Sequence, residues 1–214
     1  FGTEFASSGL PQGEELDIPT SVKDLVPASV FTTEYTNPVS GDQGKLRANL
    51  KSAVDILNAA GYKLQGSQLL DPAGQPVKFE ILLNGPTIEP IATAFQTNLK
   101  RLGMDVSIRS VDSPQYIECF NDPATTEIYT GWGQSLSPGN EQRDFWGSAA
   151  AEGEDSRNYA GIADKGVDAL IDKIIFADDR ETLVAATRAL DRVLLAHHFV
   201  TPTYTLRKSR IARW

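Results

Sequence analysis

A single cysteine, Cys119, leaves the chain unable to close an internal disulfide. Histidine is almost as scarce, with only the neighbours His197 and His198. Adjacent residues on a helix point to different faces, so these two do not form an i, i+4 metal pair. No apolar run approaches the ~20 residues needed to cross a bilayer. Basic side chains are outnumbered, 20 against 28 acidic ones, for a net charge of −8. That excess repels phosphate backbones, and nucleic acid is not expected as a partner. A glycine-rich dinucleotide loop is missing too, because the turn Asn84-Gly85-Pro86-Thr87 lacks G-x-G-x-x-G. The acidic cluster Glu152, Glu154 and Asp155 lacks the ligand spacing of a calcium loop and reads as a solvated surface. No cofactor and no metal is expected.

What is present is the composition of a globular chain. Its 214 residues are 41% hydrophobic and 22% charged, enough to bury roughly 70–75% of the unfolded surface. The chain opens on Phe1-Gly2-Thr3-Glu4-Phe5 and closes on the basic run Arg207-Lys208-Ser209-Arg210-Ile211-Ala212-Arg213-Trp214. Both ends read as cuts in a longer polypeptide, with any targeting signal upstream.

The pattern along the chain predicts an α/β fold, a mixed sheet with helices packed over it. Residues 1–40 carry four prolines, at 11, 19, 27 and 38, and are expected to be extended, with one short helix, packed on the rest. A helix is predicted over Lys45–Ala60, with Leu46, Leu50, Ala53, Val54 and Leu57 on one face and Gly61 ending it. The turns Gln65-Gly66 and Asp71-Pro72-Ala73-Gly74 imply short hairpin strands. Val77, Phe79, Ile81 and Leu83 alternate as a strand, and Met104, Val106 and Ile108 as another. Between them lies a helix from about Glu89, with Ile91, Ala94, Phe95, Leu99 and Leu102 expected inward and Gly103 closing it. Together they form a parallel βαβ unit. Ser113-Pro114 should cap and start a helix carrying Tyr116, Ile117 and Phe120. A strand over Glu127–Trp132 follows. Further on, Val167, Leu170, Ile171 and Ile174 stripe one helix. Asp179 caps the next, whose face is Leu183, Ala186, Leu190, Val193, Leu194 and His197. A last strand is expected over Phe199–Leu206.

The most informative stretch runs from Gly131 to Gly147. It holds Trp132, Trp146 and Phe145 among four glycines and a proline, threaded with Gln134, Ser135, Ser137, Asn140 and Gln142. Tryptophans are stiff contact surfaces that cost little entropy to order. The amides and hydroxyls donate and accept hydrogen bonds without adding charge. Such a loop suits the grip on a polar organic molecule and supplies little for breaking a bond. The alternative for either tryptophan is a core anchor for a long crossover. Arg143 offers a bidentate fork for a carboxylate or phosphate, or else a surface ion pair with Asp144 or Glu141. Asn158, in Ser156-Arg157-Asn158-Tyr159-Ala160-Gly161, adds an amide where the chain can return to the same rim.

Two arrangements favour catalysis instead. Gly133-Gln134-Ser135-Leu136-Ser137 falls one residue short of the nucleophile elbow G-x-S-x-G, since Ser137 crowds the fifth position. Cys119 with a histidine is a conceivable thiol nucleophile and base, though a small buried side chain accounts for it as well. A hydrolase of small esters or peptides using Ser135 or Cys119 is therefore the alternative function.

The ordered set of segments resembles the family 5 extracellular solute-binding proteins of bacterial ABC importers. The resemblance is carried by Leu57-Asn58-Ala59-Ala60-Gly61-Tyr62, Asp71-Pro72-Ala73-Gly74-Gln75-Pro76, Phe95 to Val106, Arg109 to Tyr116, Gly131-Trp132-Gly133 and Val167-Asp168-Ala169-Leu170-Ile171. Gln134 to Gly147 is similar to the oligopeptide and microcin C binding subgroup. The resemblance implies one lobe of a type II periplasmic-binding-protein-like fold, with residues 41–206 as the ligand lobe. Residues 207–214 would then be a strand crossing back to a first lobe. It further implies a monomeric, non-catalytic receptor in the periplasm that hands a peptide or peptide-like ligand to a permease in the inner membrane. The residues expected to line its cleft are Trp132, Gln134, Ser135, Asn140, Arg143 and Asn158. Two departures stand out. Ser135 occupies the position where peptide-binding relatives carry an aspartate for the ligand's amino terminus, and Ala124-Thr125-Thr126-Glu127 replaces an acidic-aromatic-acidic run.

Overall fold

The computed structural model describes residues 2–120, 127–128, 135–153 and 156–203, with Phe120, Glu127 and Ile128 described by backbone alone. In chain order the elements are α1 (Glu14–Thr20), α2 (Ser29–Thr32), α3 (Gln43–Ala59), β1 (Lys63–Gln65), β2 (Gln68–Leu70), β3 (Lys78–Asn84) and α4 (Glu89–Arg101). They continue with β4 (Asp105–Val111), α5 (Ser113–Phe120), β5 (Glu127–Ile128), α6 (Glu141–Trp146), α7 (Lys165–Ile175) and α8 (Arg180–His197). Contacts divide the chain into two compact units, residues 37–133 and residues 1–36 with 134–214. The boundaries expected at residues 40 and 206 differ from this division.

The 37–133 unit is α/β. Its sheet has the order β4-β3-β5, and both ladders are parallel. The alternation of Phe79, Ile81 and Leu83 against Val106 and Ile108 is what the ladder registers, Phe79 opposite Val106 and Ile81 opposite Ile108. Ile81, Leu83, Ala92 and Val106 form its buried cluster, with Leu99, Ile88 and Met104 packed on it. The helix α4 is turned about its axis from the expected face: Ala92 is buried, while Ile91 and Phe95 are 43% and 44% exposed. Gln96 explains the rotation. Its Nε2 donates to the Val106 carbonyl at 2.7 Å, so a polar residue occupies the sheet-facing line that an apolar count assigns elsewhere. The hairpin β1-β2 is antiparallel, closed through Gly66 at φ +63°. Gly103, at φ +87°, passes so near that hairpin that a Cβ there would lie 2.6 Å from Leu64 Cδ1. For α5 the capping acceptor is Asp112, whose Oδ1 takes the Gln115 N–H at 3.0 Å. Ser113, the expected cap, is the first helical residue and donates instead to Asn84 Oδ1.

The other unit is helical. Val167, Leu170, Ile171 and Ile174 on α7 meet Ala186, Ala189, Leu190 and Val193 on α8 in one buried core. Both helices start on side-chain caps, Asp164 accepting from Val167 N and Asp179 from Thr182 N. Residues 1–36 are less extended than expected, because α1, α2 and a 3-10 turn at Lys23–Leu25 lay Ile18, Val22, Val26 and Val30 against this pair. Gly166 permits the approach, since a Cβ on it would lie 2.4 Å from the Leu25 carbonyl oxygen. Charge fixes the rest of the segment. Arg192, only 3% exposed, donates to the carbonyls of Gly9 at 2.7 Å and Ser8 at 3.2 Å and pairs with Glu15. Residues 199–203, placed in a final strand by the sequence, are not in one, and 204–206 lie outside the described residues.

Candidate functional site

Of the stretch singled out by composition, Trp132 and Gln134 lie outside the described residues. The described path resumes at Ser135. Ser135 Oγ accepts the Ser137 N–H at 3.1 Å, a local turn that holds Leu136 outward with 88% of its surface exposed. Pro138 is buried, and the Gly139 N–H is taken by Glu141 Oε1 at 3.1 Å. Asn140 is exposed at the start of α6, and its side chain makes no capping bond. The helix is anchored at its far end. Phe145 is buried, and Trp146 packs on the α7-α8 core with its Nε1 donating to Gln142 Oε1 at 3.1 Å. Trp146 is thus a core anchor, and Gln142 is occupied in holding it.

Arg143 lies on the outer side of α6 and donates to Asp172 Oδ1 on α7 at 2.8 Å. Its partner is neither Asp144 nor Glu141. Both groups of the pair are about half exposed, so the guanidinium keeps donors for a second anion, and the pair itself adds little stability. Arg143 and Asp144, with Ala149, Ala150, Gly153 and Ser156, border an open depression of about 420 Å³. Arg157 lies over the Phe145 ring at 5.4 Å, on the same side of the helix as Asp144, 3.9 Å away.

Asn158 does not present itself to a ligand, contrary to expectation. It is 5% exposed, and its amide is spent internally. Nδ2 donates to the carbonyls of Gly147 at 3.0 Å and Ile162 at 2.8 Å, while Oδ1 accepts the Ile162 N–H at 2.9 Å. It ties the end of α6 to the segment that leads into α7. A buried backbone group without a partner is costly, and this one side chain satisfies three.

The nucleophile-elbow reading of Ser135 does not fit this geometry. A nucleophile elbow needs a helix directly after the serine, whereas the chain after Ser135 turns, passes through Pro138 and becomes helical only at Glu141. The thiol of Cys119 receives a long contact from Arg109 Nη2 at 3.7 Å. The Arg109 guanidinium is held above its ordinary value, first by its hydrogen bond to Glu80 and then by that to Cys119. His197 stacks on Phe199 at 4.7 Å, with Nε2 3.7 Å from Asp164 Oδ2. His198 takes the left-handed position that ends α8. Among the described residues, no three His, Cys, Asp or Glu side chains group as a metal site.

One long-range contact to this segment escaped the sequence. Arg180, the first residue of α8, donates to the Leu136 carbonyl at 2.8 Å across 44 positions of sequence. No local pattern signals such a bond.

The model of the bacterial extracellular solute-binding proteins, family 5, matches residues 19–154. The chain belongs to this family. It is 55% identical over its whole length to an uncharacterized protein, y4wM, of Sinorhizobium fredii, covering 32% of that protein. It is 47% identical, again over its whole length, to the probable peptide-binding protein YejA of Agrobacterium fabrum, covering 35% of it. Among solved structures it is similar to the oligopeptide-binding protein AppA of Bacillus subtilis in complex with a nonapeptide. That match has a TM-score of 0.62 at 21% identity, over 87% of this chain and 38% of AppA, and it shows the fold. The chain spans about a third of the length of the curated relatives it matches. Its α/β architecture is that of part of a family 5 solute-binding protein.

Proposed function

We propose that this chain is one ligand-binding lobe of the substrate-binding component of an ABC importer, and that the ligand is a peptide or peptide-like compound. The reading is supported by family membership, by the name of the relative YejA, and above all by how the polar segment is built. Ser135 and Asn140 lie on a backbone pinned by buried Pro138 and Phe145, so uncharged hydrogen-bonding groups are offered to solvent from a rigid base. Peptide backbones are recognised by such donors and acceptors, with aromatic walls adding affinity at low specificity. Trp132, Gln134, Ser135, Asn140 and Arg143 are the ligand-facing residues in this proposal, and Asn158 is their internal support. With serine at position 135 in place of a carboxylate, the ligand's amino terminus is not held by an ion pair there. Arg143 receives a carboxylate or phosphate of the ligand. The protein works in the periplasm as a monomer. It closes on its ligand by a hinge motion between lobes, delivers it to a permease in the inner membrane, and does no covalent chemistry.

Calorimetric titration of the full-length protein with a pool of defined tri- to pentapeptides tests this. Saturable binding is expected, weakened by about tenfold in Arg143→Ala, with every peptide recovered intact. Absence of heat for all peptides, recovery of cleaved peptides, or stoichiometric labelling of Ser135 by a fluorophosphonate would refute it.

A further inference from the structure

The N-terminal residues 4–9 run along α8, held by a row of side chains on that helix. Arg188 Nε donates to the Glu4 carbonyl at 2.7 Å, Asp191 Oδ2 accepts from Ser7 N and Oγ at 2.8 Å each, and Arg192 takes the carbonyls of Ser8 and Gly9. At the head of the row stands Arg180. One guanidinium nitrogen pairs with the Glu4 carboxylate, and the Phe5 ring lies 4.8 Å from its central carbon. The other nitrogen reaches the carbonyl of Leu136. That carbonyl belongs to the turn whose amides are closed by Ser135 Oγ and Glu141.

A planar guanidinium with two directions of donation joins two segments that nothing else among these contacts connects. The Glu4 carboxylate and the Phe5 ring orient it, and the fork then fixes where Leu136 sits. We propose that Arg180 is a positioning residue for the ligand-facing turn 135–139, and that the N-terminal strap sets the turn's geometry through it. The proposal rests on the reading of that turn as a ligand wall. It assigns function to a residue that touches no ligand. Preorganising a loop in its bound geometry raises affinity by removing an ordering cost from the binding step.

The test uses the full-length protein and the variants Arg180→Ala and Glu4→Ala, with backbone order parameters measured by NMR. In Arg180→Ala, Ser137 and Gly139 are expected to fall from about 0.85 to below about 0.6, with a smaller fall in Glu4→Ala. The Thr182 amide, bonded to Asp179, should stay rigid in both, showing that α8 has not frayed. Titration with the same peptide pool should show Kd rising by about tenfold in Arg180→Ala. A turn that stays rigid in both variants overturns the positioning role while leaving the peptide reading standing. So does Thr182 loosening as much as Ser137. A turn that loosens while peptide affinity is unchanged overturns the link to binding, and with it the assignment of this turn as a ligand wall.

Discussion

Replacing Asn158 with alanine separates two roles that composition alone confuses. The side chain forms three hydrogen bonds, to Gly147 O, Ile162 O and Ile162 N. Ile162 is itself only 1% exposed, so water does not readily replace what is lost. At a net ~1–1.5 kcal/mol for each bond, the variant should lose about 3–4.5 kcal/mol of stability. Asn158→Asp keeps one of the three bonds and sets a carboxylate oxygen against two carbonyl oxygens, so it should be no milder. Equilibrium urea unfolding followed by circular dichroism reads the loss directly. Calorimetry with the peptide pool, at a temperature where the variant remains folded, reads the consequence for binding. A staple predicts a large stability loss with affinity changed by less than about threefold. A stability change under about 1 kcal/mol with affinity down tenfold or more would refute the reasoning. It would return Asn158 to the ligand wall.

Three further outcomes follow from named contacts. Gly166→Ala places a methyl 2.4 Å from the Leu25 carbonyl oxygen, which should cost about 1–3 kcal/mol and appear in thermal unfolding. Arg192→Ala leaves Glu15 with only its 3.9 Å pairing to Arg188 and frees the carbonyls of Ser8 and Gly9. A loss of about 3–5 kcal/mol is expected, with limited proteolysis newly cutting near residues 4–10. Asp179 has a carboxyl held below its ordinary 3.8, chiefly by the Thr182 backbone N–H and then its hydroxyl. A depressed folded-state value means that the cap's stabilisation is complete above about pH 4 and is lost as pH falls through the folded value. Asp179→Asn should keep a cap while flattening that part of the pH–stability curve, measured by urea unfolding between pH 2 and 5.

Where local signals agree, the fold was readable from the chain. The stripes of α7 and α8 begin at aspartates that cap them, and each predicted apolar position on α7 is buried. The hairpin closes at Gly66, as its turn signal required, and the βαβ unit follows its alternation. Failures came where tertiary contacts overrode local preference. The prolines of residues 1–40 suggested one short helix where α1 and α2 both form, because Pro19 sits in the last turn of α1 and what holds these short helices is burial against the α7-α8 core. On α4 the inward line is marked by Gln96, whose sheet contact no hydrophobicity count can anticipate. The strand expected over Phe199–Leu206 has no pairing in residues 199–203. A strand exists only by virtue of its neighbour.

For the candidate site, the sequence offers residue types without their directions. Asn140 and Asn158 carry the same amide, in loops of similar glycine content, yet one faces solvent and the other is the staple of the loop. What separates them is which side of a local anchor they occupy. Asn140 follows buried Pro138 at the start of a helix whose inward residue is Phe145, so its own side is outward. Asn158 instead reaches back under Gly147 and forward to Ile162, and thus lies on the anchored side. By the same criterion Trp146 packs on the core with Gln142 holding its indole, while Leu136 faces solvent beside Ser135. A polar residue in a binding loop is therefore a candidate ligand contact only after the backbone has claimed what it needs. In this chain the backbone claims Asn158 and leaves Asn140.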